Sequence, residues 1–181
     1  MSSTIVVVDQ GRSIAFSFDA MMSYHGPGSP GGVAHAFKVL ERALPLLSPD
    51  GPPQRREIRV ETAFGGPGAR DAFELVTRAV TEDRYVVDRG LACSDRGRTL
   101  APFVFRLGYR GRAVTLVLRQ GYVTEEFIEL VGKERPSADE DRRLSVLKRE
   151  MADRLMSAPA IDVYDATALS RLPSPGGSRA C

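Results

Sequence analysis

Two short stretches of this chain gather the residue types that could do chemistry. The first is Tyr24-His25-Gly26-Pro27-Gly28-Ser29-Pro30-Gly31-Gly32. The second is Phe64-Gly65-Gly66-Pro67-Gly68-Ala69-Arg70-Asp71. In the first, His25 is the one titratable group with an ordinary pKa near neutrality, so it can take up and return a proton. Asp71 could orient and charge that imidazole. Arg70 could neutralise an anionic ligand, and Ser29 could donate to a ligand oxygen or cap a helix. Tyr24 stands beside His25, and glycines at 28, 66 and 68 let a ligand approach the backbone. The chemistry implied is acid–base catalysis on a small anionic or carbonyl substrate. His25 and Asp71 are the catalytic candidates, and Tyr24, Gly28, Ser29, Gly66, Gly68 and Arg70 the ligand-binding ones.

Each of these residues also has a plainer reading. Both stretches are rich enough in Gly and Pro to be ordinary turns. A turn histidine is satisfied by a backbone carbonyl. Asp71, read as lying in the first turn of a helix, would gain ~0.3–1 kcal/mol from the helix dipole with no function at all. Neither stretch has the glycine spacing of a phosphate loop or a dinucleotide fingerprint. His35 falls off the main apolar stripe of its helix and reads as a partly exposed structural residue. Cys93 reads as a small apolar side chain.

The elements that must position these groups follow from periodicity. Thr4 to Val8 and Ser13 to Phe18 read as a hairpin about the Asp9-Gln10-Gly11 turn. Residues 19–23 lead into the first Gly/Pro loop, and a helix follows with Val33, Phe37, Leu40, Leu44 and Leu47 on one face. Glu57 to Thr62 alternates as a strand, and the second loop opens a helix ending near Val80. Tyr85 to Val87 is a short strand. Phe103 to Leu107 and Ala113 to Leu118 form a second hairpin, apolar enough to sit centrally in a sheet. Thr124 caps a helix, and Ser137 with Glu140 forms a capping box before a long amphipathic helix ending at Ala158-Pro159. Ile161, Val163 and Tyr164 read as a short docking strand, and the chain from Pro173 as disordered. The fold class is therefore α+β: a mostly antiparallel sheet packed with helices, with a C-terminal amphipathic helix. Residues 1–165 form one domain, and 166–181 a flexible tail. Both glycine-rich loops deliver helix N-termini, which offer free N–H groups to a negative charge.

Composition narrows the field. The 181 residues carry a formal net charge of +2, with basic residues scattered among acids. That balance argues against a nucleic-acid partner. No apolar run is long enough for a membrane span, and no signal-peptide pattern is present. The two cysteines, Cys93 and Cys181, make no disulfide framework, which suggests a cytoplasmic protein. No local spacing suits zinc, so no metal and no cofactor are expected. The long amphipathic helix needs cover for its stripe, so a homodimer is expected.

The motif order resembles a known family. Tyr24 to Gly31 followed by a helix is similar to the His-Gly-His-x-Cys-Pro-Gly motif of the FmdE-like proteins, a family related to a component of formylmethanofuran dehydrogenase. Gly68-Ala69-Arg70-Asp71-Ala72-Phe73-Glu74-Leu75-Val76-Thr77 resembles that family's Cys-Ala-x-Asp-Ala-x-x-x-x-Thr. The resemblance covers roughly residues 23–164 and implies a metal-binding α+β fold with its site at these two motifs. In this chain His25 matches the first His and Asp71 is retained. Pro27 stands at the second His, Ser29 and Gly68 at the family's cysteines, and Ala79 at a further one. A site built on zinc–thiolate bonds cannot form at these positions. The resemblance thus implies a metal-stripped version of the fold. Three functions follow: a small-molecule enzyme using His25, a non-catalytic ligand-binding or accessory protein, or one component of a larger oxidoreductase complex.

Overall fold

The computed structural model describes residues 3–167 and 170–171. The stretch from Pro173 lies outside the described residues. In chain order the elements are β1 (Thr4–Asp9), β2 (Arg12–Ser17), α1 (Phe18–His25), α2 (Pro30–Leu47), β3 (Arg59–Thr62), α3 (Pro67–Thr77) and β4 (Tyr85–Val87). They continue with β5 (Val104–Tyr109), β6 (Arg112–Leu118), α4 (Glu125–Val131), α5 (Ala138–Ser157), α6 (Ala160–Val163), β7 (Tyr164–Ala166) and β8 (Ser170–Arg171). Short 3₁₀ turns occupy Arg55–Glu57, Arg89–Leu91 and Ser94–Arg96.

β1 and β2 form a separate two-stranded sheet. The larger sheet runs β4-β3-β5-β6-β7, with β8 also on β6, and only the β3–β4 pair is parallel. The fold is thus α+β with mostly antiparallel sheets. Both tight hairpins turn in the same way. Gln10-Gly11 has φ of 49° and 78°, and Arg110-Gly111 has φ of 47° and 77°. Two positive φ values in a two-residue turn give the twist that antiparallel strands need, and glycine accepts the second at no steric cost. β5 lies mid-sheet and is buried along nearly its whole length, as its apolar run implies.

α2 is the centre of the molecule. It is buried without a break from Val33 to Leu40, and it packs on α1, α3, α5 and the sheet. A helix buried all round belongs in the core. That placement corrects the reading of His35: it is fully buried, because Phe64, Phe103 and Tyr164 pack around its ring. The neighbouring helix is fixed at its far end. The buried Arg55 donates from Nε to the Val76 carbonyl at 2.9 Å and from Nη2 to that of Leu75, and pairs with Asp9. A cation at the C-terminal carbonyls of α3 complements the helix dipole.

Several boundaries differ from those the pattern suggests. Residues 18–25 form a helix, not a lead-in, because the Ser17 side chain accepts from Ala20 N–H at 3.1 Å and caps it. The helix stops at Gly26, whose φ is 85°. His25 is thus the last residue of α1 rather than a loop residue. α2 and α3 both begin at a proline, which has no N–H to leave unsatisfied at a helix start. Asp71 therefore lies beyond the first turn of α3. α3 ends at Thr77, since Arg78 turns left-handed with φ of 58°. Ile161 does not dock as a strand: residues 160–163 form α6, and Ile161 is exposed. Ala166 pairs with Leu116, and Thr167 N–H donates to the Thr115 carbonyl at 2.9 Å, so the sheet continues past residue 165.

The capping box at Ser137 and Glu140 forms as expected. The stripe of α5 buries Leu147, Met151 and Leu155 within the chain, with α2 and α4 against that helix. Its need for cover, the ground for expecting a homodimer, is met internally. Among the described residues no helix is long and apolar enough to cross a membrane.

Candidate functional site

The two glycine-rich loops meet. The N-terminal turns of α2 and α3 cross so closely that side chains are excluded. A Cβ built on Gly32 would lie 3.1 Å from the Ala69 nitrogen. One built on Gly68 would press into the Ser29 carbonyl oxygen and lie 3.0 Å from the Val33 nitrogen. These glycines are there because backbone meets backbone, a spacing that no β-carbon permits.

Beside that crossing lies a cavity of about 480 Å³. Its polar floor comes from Ser29, Gly31 and Gly32 of one loop and Gly65 and Gly66 of the other. Its apolar walls are Phe64, Phe103, Phe127, Ile128 and Met151. Phe64 and Phe103 stack with centroids 4.7 Å apart and planes 27° from parallel. Two cations complete the lining, Arg89 and Lys148, and no carboxylate does. Arg89 Nη1 donates to the Ala63 carbonyl at 3.3 Å, and Lys148 Nζ donates to the Gly28 carbonyl at 3.2 Å. Each cation is thus tied to the backbone of one loop. Ser29 is the N-cap residue of α2, yet its side chain makes no capping hydrogen bond. A second cavity, of about 360 Å³, lies between β1 and the end of α2. Prolines at 45, 49, 52 and 53 line it, and Glu41 is its one charged side chain.

His25 and Asp71 do come together. His25 Nδ1 lies 2.7 Å from Asp71 Oδ2, with the imidazole 9 % exposed and the carboxylate 30 %. The other ring nitrogen, Nε2, is buried without a hydrogen-bond partner. Arg70 Nη1 stands 3.4 Å from Asp71 Oδ1, and its side chain is half exposed. Neither His25 nor Asp71 lines the cavity. Of the residues singled out from sequence, Ser29 and Gly66 line it, while Tyr24, Gly28, Gly68 and Arg70 do not. Tyr24 is about half exposed. Gly28 takes part through its carbonyl, and Gly68 through the close packing it allows.

A second histidine lies behind the cavity. His35 Nδ1 and the Tyr164 hydroxyl are 2.6 Å apart. The ring packs on Phe103 at 4.6 Å between centroids and on Phe64 at 5.8 Å. Burial without a countercharge pushes the His35 pKa down to about 3, so it is neutral. Burial likewise raises the phenol of Tyr164 well above its ordinary value. Tyr85, near Arg70 and Asp71, has a buried hydroxyl without a partner, and burial raises its pKa to about 12.

Reasoning on sequence missed the far wall. Arg89 and Lys148 are single charges in polar stretches, and nothing in their spacing ties them to residues 29–32. Phe64 is visible as the residue that opens the second loop. The metal that the family resemblance implies does not fit these residues. Ser29, Gly68 and Ala79 bear no thiol or imidazole. A cysteine at 68 would drive its Cβ into the Ser29 carbonyl. Among the described residues no three His, Cys, Asp or Glu side chains gather as a metal site would require. No family model matches the chain, and no curated protein matches it at a significant level.

Proposed function

We propose that the protein binds a small organic molecule in the cavity between its two glycine-rich loops. The observation that carries this reading is the convergence itself. Two loops separated by a strand and a helix meet at one concave, mostly apolar space with a few polar groups on one side, and small-molecule sites have that form. Its volume of about 480 Å³ suits a ligand of one or two rings. The likeness to the FmdE-like proteins belongs to the same proposal, since its two motifs supply the two loops. A cytosolic setting also belongs to it.

The test uses the five methionines, labelled with ¹³C at the methyl group. Met151 lies in the cavity wall. Titration with a library of ring-sized organic compounds should move the Met151 resonance for some of them. Ile128→Trp, which fills the cavity from α4, should abolish those shifts while circular dichroism stays unchanged. Hits that leave Met151 unmoved, or that survive Ile128→Trp, would overturn the proposal.

A second reading is favoured by one specific observation. The 2.7 Å contact between His25 and Asp71 fixes one ring nitrogen and leaves Nε2 for proton transfer. In that reading the protein is an acid–base enzyme acting through His25, and the buried Nε2 must be uncovered before a substrate meets it. His25→Ala would then cost ~10²–10⁴ in rate. Under the binding reading alone, His25→Ala leaves the affinity of the cavity ligand within about two-fold, since His25 does not line it.

A further inference from the structure

We infer that the cavity ligand is a small aryl carboxylate, held by its anionic end between Arg89, Lys148 and the N-terminus of α2, and by its ring against the phenylalanine wall. This rests on the cavity reading and gives it a substrate class.

The first support is a contrast among the helices. α1, α4 and α5 each carry a side-chain N-cap hydrogen bond and at least one acid in the first turn. α2 and α3 carry neither. The first N–H groups of a helix have no acceptor inside it, and the positive end of its dipole is unneutralised unless something else supplies the charge. Where three helices supply both from their own sequence, α2, whose Gly31 and Gly32 line the cavity, leaves both to be met from outside.

The second support is the charge of the lining. Among the described residues the cavity is lined by Arg89 and Lys148 and by no acid. A cavity lined by two cations and the first turn of α2 favours an anion. Each cation donates to a loop carbonyl beside the cavity. The guanidinium offers paired N–H donors in the plane that a carboxylate presents.

The third support fixes the rest of the molecule. Inorganic anions need no apolar wall, yet this lining includes the large apolar side chains of Phe64, Phe103, Phe127, Ile128, Val131 and Met151. The stacked Phe64–Phe103 pair offers faces and edges to a third ring, and the Met151 thioether favours an aromatic neighbour. Cations and large apolar side chains lining one cavity describe an amphiphile with one carboxylate.

Calorimetric titration of the full chain with three probes decides the matter. They are 3-phenylpropanoate, its neutral amide 3-phenylpropanamide, and inorganic phosphate. We expect the carboxylate to bind at one site per chain, at least ten-fold tighter than the amide, and phosphate to bind at least ten-fold more weakly than the carboxylate. Lys148→Gln together with Arg89→Gln should weaken the carboxylate at least ten-fold and the amide less than three-fold. Should that pair unfold the protein, Lys148→Gln alone should produce a loss of several-fold for the carboxylate only. Amide binding as tight as carboxylate, with Met151 still shifted, would overturn the anionic class and leave the cavity reading standing. Phosphate binding as tightly as the carboxylate would overturn the aryl part. If no probe binds, the inference is overturned, and the methionine titration against the wider library then decides the cavity reading separately.

Discussion

His25 and His35 lie in different surroundings. His25 faces a carboxylate at 2.7 Å. His35 faces a phenol and two phenylalanine rings, and burial lowers its pKa from 6.5 to about 3. Between those two values the unfolded chain binds a proton that the folded chain refuses. The stability due to neutral His35 is therefore complete above pH 6.5 and is lost as pH falls toward 3. For one proton the slope is up to ~1.4 kcal/mol per pH unit. His35→Phe keeps the ring and removes the proton. Urea denaturation should show a stability–pH curve flatter by about that slope between pH 6 and 4. Near pH 8 the variant should lose about 1 kcal/mol with the Tyr164 hydrogen bond. An acid limb of unchanged steepness would show that His35 does not titrate as its burial implies. At this scale the sequence is readable only in part. The pairing of His25 with Asp71 could be read from their loops. The burial of His35 could not, because the rings that cover it, Phe64, Phe103 and Tyr164, come from three separate later parts of the chain.

At the scale of elements, the glycines of the two loops do different work. A methyl group on Gly68 meets the Ser29 carbonyl, whereas one on Gly28 meets nothing within 4 Å. Gly68→Ala should therefore cost about 1–3 kcal/mol, as overpacking a rigid contact does. Gly28→Ala should change stability by less than about 0.5 kcal/mol. Urea midpoints for the pair check this, and equal losses would mean the helix crossing is looser than described. Both hairpins were legible because Gln10-Gly11 and Arg110-Gly111 carry their turn chemistry locally. α1 was not. Its first residue, Phe18, continues the alternation of Ile14 and Phe16, so the strand pattern hid the cap at Ser17. The far wall of the cavity was hidden for a different reason. Phe127, Lys148 and Met151 lie on two amphipathic helices whose periodicity shows which side is apolar but not what that side covers.

For the whole molecule, the hydrogen bond from Lys148 to Gly28 spans 120 residues, and the cavity draws its walls from the early, middle and late chain. That has a kinetic consequence. No partly assembled chain holds the complete lining, because Met151 and Lys148 join it only when α5 has docked on α2. A molecule that needs all three parts can recognise the finished protein and little that precedes it. Its stabilisation, RT ln(1 + [L]/Kd), should then fall almost wholly on the unfolding limb. In stopped-flow experiments with 3-phenylpropanoate at a hundred times its Kd, unfolding should slow by up to about a hundred-fold while refolding keeps its rate. Faster refolding with unchanged unfolding would mean the loops form a competent cradle before the C-terminal helix arrives. The protein would then meet its ligand while folding rather than afterwards.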